Sequence, residues 1–156
     1  MKVRFIGTGD AFGSGGRFNT CFLLEGAGGR LLVDFGASSL VALKQSGILI
    51  NDIDAVLISH LHGDHFGGLP FLMLDCQHMS RRDRPLSLYG PPGLAQRLRE
   101  AQEALFPGSS TMELRFPFEL VEMALGRRYQ GNFFAVTPSL ANHSAGAPPY
   151  SLRVEC

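Results

Sequence analysis

His60, His62, Asp64 and His65 fall within six residues of one another. The chain holds five histidines in 156 residues, so composition alone would put about 0.2 in such a window. Neutral imidazole nitrogens and carboxylate oxygens are favoured ligands of Zn2+ and similar divalent ions. On extended backbone, side chains two residues apart point the same way, so His60 and His62 can pinch one ion. Gly63 frees the backbone to turn, and Asp64 and His65 then aim at a neighbouring position. Four ligands so close would crowd one tetrahedral ion, which also draws ligands from afar. The spacing suits two adjacent ions.

The elements around this loop are arranged to hold it. Residues 54–59 are a short apolar run bounded by polar residues, the pattern of a strand buried on both faces. The histidine loop follows it directly, at the C-terminal end of a strand, where α/β proteins tend to place their sites. Further strands are expected at residues 2–6, 20–25, 30–34, 86–89, 116–122, 127–130, 133–137 and 150–155. Gly26, Ala27, Gly28 and Gly29 signal a hairpin turn. Helices are expected at 38–46, 69–79 and from 94 to about 106, the last with Leu94, Leu98, Ala101 and Leu105 on one stripe. Strands and helices mix with several hairpins, so the fold class is α/β (α+β) with mixed sheets.

Other residues admit two readings. Asp34 ends a strand. It can hydrogen-bond a ligand histidine, or cap the helix that follows. His143 follows a small-residue loop and, taken alone, reads as a surface histidine. His78 reads as structural or exposed. Arg81, Arg82 and Arg84 share one connector, read as a solvated charged loop in preference to a grip on substrate phosphates. Gly7 to Gly13 has the spacing G-x-G-x-x-x-G with more glycines where a helix should start, so a tight loop under the site is favoured over a dinucleotide site. There is no G-x-x-x-x-G-K-[ST] and no G-x-S-x-G.

Composition excludes several classes. Hydrophobic residues are 45% and charged residues 18%, which argues against wholesale disorder. Lys plus Arg and Asp plus Glu number 14 each, which argues against a general polyanion binder and leaves room for a local basic patch. No apolar stretch approaches the roughly 18 residues of a membrane span. Three cysteines, odd in number and far apart, give no disulfide framework and suit a reduced, cytoplasmic setting.

The run from Ser59 to Pro70, with its H-x-H-x-D-H element and G-G-L-P tail, resembles the metallo-β-lactamase superfamily in its ribonuclease Z-like branch. Gly7-Thr8-Gly9-Asp10, Arg17-Phe18-Asn19-Thr20, Leu32-Val33-Asp34-Phe35-Gly36, and His143 followed by residues 149–155 agree in the same order. The resemblance implies an αββα sandwich, of which residues 1–156 would form a single, incomplete domain: the N-terminal half plus part of the second. It implies that His60, His62 and His143 hold one zinc, and that Asp64 and His65 hold a second. A hydroxide shared by the metals would be the nucleophile and Asp64 also a general base, with Asp34 behind a ligand histidine. Mn2+ or Fe are alternatives to Zn2+.

The family's bridging aspartate, in a G-D-[ST]-like segment, and its last histidine have no counterpart after His143. The long Gly/Pro-rich arm of tRNA-processing members is also missing between His65 and His143. The function expected is therefore a metal-dependent hydrolase of phosphodiesters or related esters, its substrate a small molecule or a nucleic acid. The alternatives are a non-catalytic metal-binding or structural module, and a half-domain completed by a second chain, such as a homodimer.

Overall fold

The computed structural model describes residues 1–26 and 28–156. β1 (Lys2–Gly7) pairs antiparallel with β2 (Cys21–Gly26), and β2 with β3 (Gly29–Val33). Ala27, in the turn expected at residues 26–29, lies outside the described residues. After α1 (Ser39–Gln45), β4 (Ala55–Leu57) runs parallel to β3. Two short helices follow, α2 (Gly63–Phe66) and α3 (Leu69–Leu74). Then come β5 (Leu86–Gly90), α4 (Leu94–Leu105) and β6 (Phe118–Glu122), both strands parallel to β4. The six strands form one sheet in sequence order. A second, antiparallel sheet holds β7 (Tyr129–Gln130), β8 (Ala135–Leu140) and β9 (Tyr150–Glu155). The mixed α/β architecture expected from the sequence is the one found.

Period-two alternation splits the apolar residues between two cores. Leu32 and Val56 face the helices, packing with Phe35, Leu43, Leu69 and Leu98. Leu31, Ala55 and Leu57 face the second sheet, packing with Phe134, Val136 and Tyr150. Every residue of β4 is buried, as expected of a strand covered on both faces. Fully burying a Leu or Val stabilises by roughly 1.5–3 kcal/mol, so this strand is a fixed base for the loop that follows.

Several boundaries differ from the expected ones for identifiable reasons. β6 begins at Phe118, because Pro117 has no N–H to give a ladder. The helix expected over 69–79 is α-helical only to Leu74 and continues as a π-turn, Asp75–Met79. In that turn Asp75 is buried and accepts from Lys44 Nζ and Ser80 Oγ. His78, in the same turn, is exposed.

The arginine connector is exposed at Arg81, Asp83 and Arg84, as expected of a solvated loop, but not at Arg82. Arg82 is fully buried and donates to the carbonyls of Ile50, Ile53, Arg84 and Pro85. A guanidinium offers five donors and no acceptor, which suits it to gather loop carbonyls. Burial lowers its pKa. Arg84 pairs with Asp54 at 2.9 Å, while Arg81 is exposed. No helix is long and apolar enough to cross a membrane among the described residues.

Candidate metal centre

Three chain segments meet at the C-terminal ends of β3 and β4. After β3, Asp34 adopts a left-handed φ of 62°, and its N–H donates to Leu57 O at 2.8 Å. The next residues are laced to the histidine loop: Phe35 N donates to His65 O at 2.6 Å, and Gly68 N to Phe35 O at 2.9 Å. The backbones approach so closely that a side chain at Gly36 would overlap the Asp64 carbonyl. The third segment is the loop between β8 and β9. Ala141 N donates to Pro149 O at 2.9 Å across its neck, and Tyr150 N to Ser59 O at 2.9 Å. The second bond docks the loop beside the end of β4 and brings His143 over it.

The resulting geometry gathers His60, His62 and His143, whose ligand nitrogens lie within 4.8 Å of one another. His143 Nε2 is 3.1 Å from His62 Nδ1. The His60 ring stacks at 4.0 Å, centroid to centroid, from His65, which links the two halves of the site. Asp64 and His65 form a separate pair, with Oδ2 and Nε2 3.3 Å apart.

Hydrogen bonds behind the rings fix which nitrogens are free. Asp34 Oδ2 is 2.7 Å from His65 Nδ1. The same carboxylate accepts from Ser59 N at 2.8 Å and from Ser59 Oγ at 2.9 Å. Ser59 has a single hydroxyl proton, given to Asp34, so toward His60 Nδ1 at 3.0 Å it acts as acceptor. His60 is then protonated on Nδ1, and in the neutral ring Nε2 keeps its lone pair. That Nε2 is buried without a hydrogen-bond partner among the described residues. By the same logic a neutral His65 donates from Nδ1 and turns the Nε2 lone pair toward Asp64. Imidazole lone pairs converging beside a carboxylate are the donor set of a divalent ion, so the residues present fit one.

Electrostatics agree for His60: burial, then the neighbouring His65, push its pKa down to about 4. For His65, burial opposes the charge, but the bond to Asp34 and the charges of Asp34 and Asp64 outweigh it and raise the pKa. A cleft of about 480 Å3 opens beside the loop, lined by Ala11, Asn19, Ala37, His62, Asp64 and Gly67.

Every metal-type residue singled out in the sequence, distant His143 included, therefore reaches this one region. Of the two readings of Asp34, the capping one is not found, since α1 starts at Ser39 behind Ser38. Sequence reasoning missed Ser59, which ties Asp34 to His60. Its place directly before the first histidine was the available signal. The glycine loop of residues 7–16 is ordered by Asp10, whose carboxylate accepts from Phe12 N and Ser14 N, each at 3.0 Å.

Comparison with known proteins agrees with the fold. Ribonuclease Z of Anoxybacillus flavithermus is 32% identical over 157 residues, covering 99% of this chain and 48% of the relative. The crystal structure of the short form of human tRNase Z (ELAC1) superposes with a TM-score of 0.77 at 29% identity, covering 99% of this chain and 65% of that one. The metallo-β-lactamase fold protein YhfI of Bacillus subtilis gives 0.73 at 20% identity, covering 98% and 57%. The chain spans about half the length of the curated relatives it matches. Its fold is the metallo-β-lactamase fold in its ribonuclease Z-like form. The family described as anti-Pycsar protein Apyc1 matches residues 1–155, and the chain belongs to that family.

Proposed function

We propose that this chain carries the metal-binding half of a hydrolase acting on phosphodiesters or related esters, with zinc as the metal. The observation that carries this reading is the convergence of His60, His62 and His143 beside the Asp64–His65 pair, with a buried, unpartnered His60 Nε2 aimed into the site. His60, His62 and His143 would hold one ion, and Asp64 and His65 would contribute to a second. Zinc bound there would supply Lewis acidity and lower the pKa of a bound water to about 7. Asp34 holds the two ligand rings in their working tautomers, directly for His65 and through Ser59 for His60. Asp64 serves as ligand and proton acceptor, since a carboxylate that binds through one oxygen keeps the other free. The cleft beside His62 and Asp64 would receive the substrate, a small molecule or a nucleic acid. The buried, free Cys21 and Cys76 suit a cytoplasmic setting.

One observation favours a second reading. Asp64 and His65 are only two ligands for a second ion, and the chain spans half of its relatives. On that reading this chain binds metal, and turnover awaits further polypeptide, from a homodimer or another chain. Zinc per chain and chelator-sensitive hydrolysis of bis-p-nitrophenyl phosphate separate the two. About two zincs with turnover supports the hydrolase. One zinc without turnover supports the half-site, and no zinc at all overturns both.

A further inference from the structure

β6 is the last strand of the first sheet, so no further strand flanks its helix-facing side chains, Phe118 and Leu120. α4 and the connector between α4 and β6 roof them incompletely, and a cavity of about 260 Å3 remains. Met73, Leu98, Leu114, Phe118 and Leu120 make its apolar wall. The connector that closes it is held at both ends. Glu103 accepts from Gly108 N at 2.8 Å and from Ser110 N at 3.1 Å, which fixes the turn Ser109–Thr111. Gln77 donates to Glu113 O at 3.1 Å and accepts from Arg115 N at 3.0 Å. The cavity is therefore built into the fold, as small-molecule sites usually are.

Two polar side chains of α4 line this apolar space at different depths. Gln102 is only 6% exposed. Its Nε2 donates to Ser109 O at a long 3.4 Å, and its Oε1 has no hydrogen-bond partner among the described residues. A buried acceptor left unpaired costs stability, so a hydroxyl brought in by a ligand has a partner waiting. Arg99 is exposed, and is the only charged residue lining the cavity among the described residues. Glu100 pairs with Arg97 at 3.6 Å and Glu103 is engaged by the turn, so neither neutralises Arg99. Arg99 and Gln102 stand three residues apart on the helix, which sets them about 5–6 Å apart on one face.

We propose that this cavity binds a small aromatic carboxylate with a hydroxyl on its ring. The carboxylate sits on Arg99, whose planar fork matches it. The ring packs against Leu98, Phe118 and the thioether of Met73, which favours aromatic edges. The hydroxyl donates to Gln102 Oε1. The size is right, since an apolar cavity of about 150 Å3 already holds a benzene and this one is larger. A plain hydrocarbon would leave Gln102 unpaired, and a fully polar anion would leave the apolar wall bare. The inference is independent of the hydrolase reading, since the cavity lies in the helix layer and holds no metal-site residue.

The test is a titration of the full chain with p-hydroxybenzoate, followed by the methyl resonances of Met73, Leu114 and Met112, which also lines the cavity. Saturable shifts at these methyls are expected. Benzoate, without the hydroxyl, should bind about threefold more weakly, and p-hydroxybenzyl alcohol, without the charge, about tenfold. Arg99→Ser changes an exposed position, so it should keep the circular dichroism of the parent and lose about tenfold in affinity. Gln102→Met should bind both acids equally. If that variant does not fold, the comparison of the two acids on the parent decides the role of Gln102. Absence of saturable shifts at these methyls, equal binding of the three compounds, or unaltered affinity in Arg99→Ser overturns the proposal. So do shifts confined to residues around His62, or a dimer formed through this face that shuts the acid out.

Discussion

His143 Nε2 stands 3.1 Å from His62 Nδ1, although 81 residues separate them. The approach is set by backbone, through the bond from Tyr150 N to Ser59 O that pins the β8–β9 loop to the end of β4. Facing imidazole nitrogens at this distance can share one proton or one metal ion, and His60 beside them supplies a third nitrogen.

Metal content should therefore depend on both histidines equally. His62→Ala and His143→Ala are each expected to remove one zinc per chain in competition with a chromophoric chelator, while His78→Ala leaves binding intact. Full zinc affinity in His143→Ala would remove that residue from the ligand set.

Asp34→Asn isolates the role of the carboxylate. Asparagine tolerates the φ of 62°, and its carbonyl can still accept from Ser59 N. The amide nitrogen then stands where Oδ2 was and cannot accept from His65 Nδ1–H, so metal affinity should fall about 10–100-fold while the circular dichroism is kept. Unaltered affinity would mean that Asp34 only shapes the backbone.

Acid should destabilise the metal-free protein before carboxylates protonate. The His60 pKa is pushed down to about 4 from an ordinary 6.5. Between those values the unfolded chain binds the extra proton, so stability is full above 6.5 and falls as pH drops toward about 4. His65 has the opposite sign: its raised pKa gives stability that is full below 6.5 and lost as pH rises through its folded value. Urea midpoints across pH 4–8 should show the acid-side slope shrink in His60→Gln and the alkaline-side loss shrink in His65→Gln.

Thiol labelling should count the buried cysteines. Burial raises Cys21 to about 12 and Cys76 to about 11, whereas Cys156 is exposed. A maleimide at pH 8 is expected to react rapidly with Cys156 alone in native protein and with all three after denaturation. Rapid native labelling of Cys21 would contradict the packing of β2.

Arg82 and Arg84 should part company on truncation. Arg82→Met strands the buried carbonyls of Ile50 and Ile53, each costing about 1–3 kcal/mol when unpaired, so a loss of about 3 kcal/mol is expected in urea unfolding. Arg84→Met removes an exposed pair with Asp54 and should cost no more than about 1 kcal/mol.

Local spacing was enough to read much of this protein from its residues alone. The run at 54–59 specified a strand buried on both faces, and His60, His62, Asp64 and His65 specified metal chemistry, because period and ligand type are properties of neighbours in sequence. Tertiary structure decided what depends on distant partners. Arg82 reads as solvated until the carbonyls of Ile50 and Ile53 are seen around it. The tautomer of His60 follows from a proton that Ser59 gives to Asp34, 25 residues away. His143 becomes a ligand candidate on its own evidence only when the hairpin docks it. No pattern in sequence encodes these pairings, because a hydrogen bond forms between groups that folding brings together, and separation along the chain says little about which groups those will be.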